Sequence, residues 1–157
     1  MVSVVVSHLI CTMALVTLII ILPVYYTGIQ DNIRVDVVKM ELKEVTNYIS
    51  NTFGNTYVLV NSTNTPNANI TKRLVYLPST VEGYLFEIRI EQESTKAIGV
   101  TAYLKDRPNV EVTAWLSPGM KVDNVSPLES GKGMVVAGCY RQGQDIFVTL
   151  NYEGDHV

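Results

Sequence analysis

Charge is missing from the first 30 residues of this chain. Residues 1–30 contain no Asp, Glu, Lys or Arg, so all 12 basic and all 15 acidic side chains lie in residues 31–157. Histidine is equally scarce. His8 and His156 are the only two, and neither lies in a recognised metal-ligand motif, so no metal centre is expected. The two cysteines, Cys11 and Cys139, fall in the apolar segment and in a late strand-like run. A bond between them would have to join opposite ends of the molecule, so no disulfide is predicted and both read as small buried apolar groups. There is no GxSxG, no HExxH and no glycine loop that would cradle a phosphate. The stretch ESGKG, Glu129–Gly133, lacks the first glycine and the Ser/Thr of a phosphate loop and reads as a turn. These absences leave no catalytic arrangement and no cofactor site, and predict a protein that is not an enzyme. The net charge of −3 offers no basic surface for nucleic acid.

What the first segment does have is length and apolarity. A secretory signal has a basic flank and an apolar core of about 7–15 residues. Here no Lys or Arg precedes Arg34, and the apolar run is roughly twice that core. It also exceeds the roughly 20 residues that a minimal membrane span requires. The segment is therefore expected to stay in the working protein. Either a basic leader has been removed and Met1 is the mature start, or insertion is guided by other means; the residues leave both open.

The pattern continues beyond the charge-free stretch. Val35, Val38, Leu42, Val45, Ile49 and Thr52 recur at alternating spacings of 3 and 4. Arg34, Asp36, Lys39, Glu41, Lys43 and Glu44 lie on the outer faces, which gives a heptad seam. No Pro or Gly interrupts Ile29–Phe53. One helix over residues 1–53 is predicted, hydrophobic at 2–30 and amphipathic at 31–53. At 1.5 Å per residue it would be about 75–80 Å long, so its first half should project. Gly54 and Asn55 should end it. An Asn-rich loop is expected over 54–71, with one more helical turn or a short strand at 57–60.

From Lys72 the period changes to two. The runs KRLVYLP, VEGYLFEIRIEQ, AIGVTAYL, VEVTAWL, MVVAGCY and DIFVTLNY alternate apolar and polar residues between turn signals. Tyr84, Phe86, Ile88 and Ile90 should share the inner face of the second run. The expected fold class is α+β, a long N-terminal hydrophobic helix followed by an antiparallel, Ig-like β-sandwich head over 72–157. No βαβ alternation supports a nucleotide-binding sheet.

Two features of the apolar helix point to helix–helix packing. Ser3, Ser7, Cys11 and Ala14 form a stripe of small residues, which lets helices approach closely in an apolar medium. Leu15 and Leu18 belong to the same assembly segment. Pro23 removes one backbone hydrogen bond from a helix interior, a loss of about 3 kcal/mol unless neighbours compensate. Three N-x-Ser/Thr sequons, at Asn61, Asn69 and Asn124, are candidate acceptors for N-linked glycans on an exported surface.

The layout resembles the archaeal type IV pilin-like filament proteins, the superfamily of archaeal pilins and archaellins. The charge-free start VSVVVSHLI leads into an amphipathic helix and then an all-β head, and Leu74–Ile90 is similar to the first hairpin of such heads. Pro23 is similar to the helix-bending proline of bacterial pilins. Val5 stands where many pilins carry an acidic residue. The resemblance implies a structural subunit of an extracellular, adhesive helical filament, a homopolymer built through the N-terminal helix. It implies residence in the cytoplasmic membrane before assembly, and contact with other cells or surfaces afterwards. The alternative reading is a membrane-anchored β-sandwich that binds an envelope component, such as an archaellum stator protein.

Overall fold

The computed structural model describes residues 2–63, 65–92, 97–123 and 126–154, with the side chains of residues 2–5 outside that description. Among the described residues there is one helix, α1 (Val2–Ser62), followed by eight strands. These are β1 (Asn69–Arg73), β2 (Phe86–Gln92), β3 (Ile98–Leu104), β4 (Arg107–Trp115), β5 (Met120–Val122), β6 (Leu128–Glu129), β7 (Val135–Gln142) and β8 (Asp145–Tyr152). The chain divides into two compact units, Met1–Val37 and Val38–Val157.

The second unit is a sandwich of two four-stranded sheets, ordered β1-β7-β8-β5 and β4-β3-β2-β6. β2, β3 and β4 form an antiparallel meander, and β7 and β8 form a hairpin. Between them the chain crosses from sheet to sheet three times, placing β5 on β8 and β6 on β2. The β5–β8 pair is parallel, Met120 to Val122 against Ile146 to Val148, so the head is not wholly antiparallel as the sequence suggests. Strands this short carry too little periodicity to be recognised before folding.

The core shows the expected period. Phe86, Ile88, Val100 and Ala102 from one sheet and Ala137, Cys139, Val148 and Leu150 from the other are buried. Val112 is only half-buried, on an edge strand. Tyr84 is 37% exposed instead of inward. Glu82 and Gly83 both have positive φ, 48° and 80°, and Val81 and Tyr84 exchange backbone hydrogen bonds of 2.9 and 2.8 Å. This is a two-residue hairpin turn of the mirror-image type. It turns Tyr84 back onto Val81 before the β2 ladder begins.

The helix does not end at Phe53. It passes Gly54 and Asn55 and stops at Ser62. A mid-helix glycine is unfavourable by about 1 kcal/mol relative to alanine. Phe53, Thr56 and Val60 are almost fully buried, and burying such side chains is worth roughly 1.5–3 kcal/mol each for the large apolar ones. Packing therefore wins over propensity. The Asn-rich loop shrinks accordingly, and its end enters the sheet: Asn69, Ile70 and Thr71 pair with Tyr140, Cys139 and Gly138. An edge strand needs one paired backbone and few apolar residues, and Ile70 alone turns inward with Cys139. The strand expected over 72–78 is therefore shifted, with a turn after Leu74, whose N–H donates to Val135 O at 2.9 Å.

Candidate functional site

In the first unit every described side chain from Val6 to Arg34 is exposed. Leu15 and Leu18 are each 58% exposed, and Leu9, Ile20 and Val24 more so. Ser7, Cys11 and Ala14 are exposed with them, whereas the side chain of Ser3 lies outside the described residues. An 18-residue window here has a mean hydropathy of 2.3 and none of its surface buried. Length and composition suffice for a membrane span.

The polar atoms of this segment are partly hidden by the helix itself. Thr12 Oγ1 donates to His8 O at 2.9 Å, Thr17 Oγ1 to Met13 O at 2.8 Å and Thr27 Oγ1 to Val24 O at 2.9 Å. A hydroxyl bonded to its own backbone can enter an apolar medium without leaving a donor unpaired. Pro23 lies inside the helix and cannot donate to the carbonyl of Ile19. Beside it is a shallow notch of about 510 Å³ lined by Leu22, Pro23, Tyr26, Thr27 and Gln30.

In the second unit the heptad seam becomes core. Val38, Leu42, Val45 and Ile49 are buried, and Val35, in the first unit, is half-buried. The seam runs on through Phe53, Thr56 and Val60, at spacings of 4, 3 and 4 that the sequence already contains. The helix meets both sheets. Ser50 Oγ donates to Trp115 O at 3.1 Å, and Thr56 Oγ1 lies 3.1 Å from Cys139 Sγ. Burial pushes the Cys139 thiol pKa up, with the Thr56 contact opposing in part. The thiol stays protonated and unreactive.

Arg141 on β7 closes the helix. Its guanidinium donates to Thr63 O at 2.9 Å, Val60 O at 3.0 Å and Asn61 O at 3.2 Å. The last turn of α1 has no basic residue of its own. Arg141 therefore supplies both the missing donors and the positive charge that a helix C-terminus favours. The sequence hint is slight: an arginine following the apolar run MVVAGCY.

The sequons part company. Asn61 is exposed in the last helical turn, Asn69 is exposed at the start of β1, and Asn124 lies outside the described residues, as does His156. ESGKG forms a turn, with Gly131 at a φ of 78° and the Ser130 hydroxyl accepting from the Phe86 N–H at 3.0 Å. Among the described residues no group of three or more His, Cys, Asp or Glu is placed to hold a metal ion. The chain matches no family profile, no curated protein and no solved structure.

Proposed function

We propose that this chain is a structural subunit of an extracellular helical filament of the type IV pilus-like kind, assembled through its N-terminal helix. One observation carries the reading. A single helix is uncharged and exposed over residues 6–30, and its last 25 residues, 38–62, are built into the head. Some 25 exposed apolar and weakly polar residues need an apolar environment. Before assembly that environment is the cytoplasmic membrane; afterwards it is the same segment of neighbouring copies. Contacts of this head-to-tail kind do not close, so they propagate into a filament. The small residues Ser7, Cys11 and Ala14 allow close approach, and the notch at Pro23 gives a neighbouring side chain somewhere to sit. No step of catalysis is assigned to the chain.

Leu15→Asp is the direct test. A carboxylate placed in that interface has no partner, so filaments seen by electron microscopy should be abolished while the head still folds. Normal filaments from this variant would refute the reading. The second reading, a membrane-anchored sandwich that binds an envelope component, is favoured by the span-like hydropathy of the same segment. Sedimentation without detergent separates the two: long assemblies for a filament subunit, membrane fractions alone for an anchor.

A further inference from the structure

The outer face of the β1-β7-β8 sheet contains a trough of about 830 Å³. Asn69, Thr71, Tyr140, Thr149 and Asn151 are among its lining residues, and Gly138 lies buried between the two threonines. Register places Thr71 and Thr149 on either side of that glycine. A Cβ there would meet Thr71 Cγ2 at 2.9 Å and Thr149 Oγ1 at 3.0 Å, so the absence of a side chain lets the two threonines close over the strand and line the trough together. One register step away, Asn69 pairs with Tyr140, which stacks on Phe147 at a centroid distance of 5.4 Å and an interplanar angle of 16°. On the other side Val136 pairs with Asn151, and Arg73 and Glu153 form an ion pair at the rim.

These walls are mainly polar. Hydroxyls and carboxamides that both donate and accept come from Thr71, Thr149, Asn69, Gln142 and Asn151, charged groups from Arg73, Asp123 and Glu153 stand among them, and the Tyr140 ring lies beside them. A saccharide has the matching surface, with hydroxyls around the ring edge and C–H groups on its faces. The Tyr140 hydroxyl is held by Asp123 Oδ2 at 2.6 Å, which fixes the aromatic wall in place.

Asn69 itself begins a sequon, Asn69-Ile70-Thr71. In a strand, residues two apart lie on the same face, so the Asn69 amide and the Thr71 hydroxyl are presented together, on the trough. At Asn61 the sequon lies at the end of a helix. Side chains two apart on a helix point roughly 200° away from each other, and the Asn61 backbone carbonyl is held by Arg141.

The geometry points to Asn69 as the glycosylated sequon and to the trough as the seat of its first sugar. The transfer joins Asn69 Nδ2 to the anomeric carbon of an activated glycosyl phosphate donor. The C–N bond forms as the anomeric C–O bond breaks. The phosphate leaves with that electron pair, and an amide proton passes to a base of the transferase. This inference requires export of the head and does not depend on filament assembly.

The test uses the full chain purified from the cells that produce it. Peptide mass spectrometry should find a saccharide that Asn69→Gln and Thr71→Val lose, and that Thr71→Ser and Asn61→Gln retain. Its removal should lower Tm by roughly 2–4 °C, the shift that a contact of modest strength gives in a chain of this length, and should speed amide exchange in β7 and β8. Those changes should vanish in Tyr140→Ala, or in Asn151→Ala if the first variant fails to fold. An unmodified Asn69, a saccharide on Asn61 alone, or an Asn69 saccharide whose removal leaves Tm and exchange unchanged would each overturn the inference. Saturable binding of free N-acetylhexosamine by the Asn69→Gln protein would assign the trough to an outside ligand and overturn it equally.

Discussion

Replacing Arg141 by methionine separates the tertiary clamp on α1 from the packing of its stem. Methionine keeps most of the apolar contact of the arginine chain while removing the fork. Three carbonyls then lose a charged donor: Thr63 O at 2.9 Å, Val60 O at 3.0 Å and Asn61 O at 3.2 Å. Buried, each such bond would be worth about 1.5–3 kcal/mol. This site is half open, so water can replace part of the loss, and about 0.5–1 kcal/mol per bond is reasonable. The set should total about 2 kcal/mol, which is roughly a thirtyfold change in an opening equilibrium. The assay is hydrogen exchange on a chain lacking residues 1–30. Amides of Tyr57–Ser62 should exchange roughly thirtyfold faster in the variant. Arg141→Lys should fall between, because an ammonium keeps the charge near the helix end but cannot fork across three carbonyls. Exchange within twofold of the parent at Tyr57–Ser62 in Arg141→Met would refute the reasoning. It would mean that burial of Phe53, Thr56 and Val60 alone holds the last two turns.

Three further outcomes follow from the same structure. Removing residues 1–30 should leave a soluble, β-rich protein by circular dichroism, whereas removing residues 1–53 should leave an aggregating chain, because Leu42, Ile49 and Phe53 are fully buried in the head. Lys132 at 2.8 Å and Lys105 at 2.9 Å hold the Glu129 carboxyl below its usual pKa. Its contribution to stability is therefore complete above the ordinary Glu value of about 4.3 and is lost as pH falls through the lower folded value. Glu129→Gln should accordingly shift the urea midpoint at pH 7 and shift it progressively less below pH 4. In the chain without residues 1–30, Cys139 is the sole thiol, and iodoacetamide at pH 8 should label it only after urea unfolds the head.

Charge absence and hydrophobic period were enough to mark a long exposed apolar helix and the buried stripe that follows it. Thirty residues without charge cannot form an ordinary water-facing surface, and the 3–4 spacing from Val35 to Ile49 leaves one apolar helical stripe. The strands β2, β3, β4, β7 and β8 were legible for the same reason: five or more residues of alternation are a strong local signal. The end of the helix was not legible. Gly54 and Asn55 are locally unfavourable, and only the sheets that cover Phe53, Thr56 and Val60 outweigh them. Arg141 reaches the helix terminus from about 80 residues away in sequence, a distance that no local pattern can encode. β1 was hidden in an Asn-rich stretch because an edge strand is held by backbone pairing, which carries no side-chain signature. β5 and β6, of three and two residues, are defined only by the strands β8 and β2 that they pair with as the chain crosses between the sheets. The trough was likewise invisible, since register alone brings Thr71 and Thr149, two of its lining residues, to either side of Gly138. Local patterning thus determined which residues must leave water, while the tertiary structure decided where helices stop, which edges pair and which side chains meet, because those outcomes depend on contacts between residues distant in the chain.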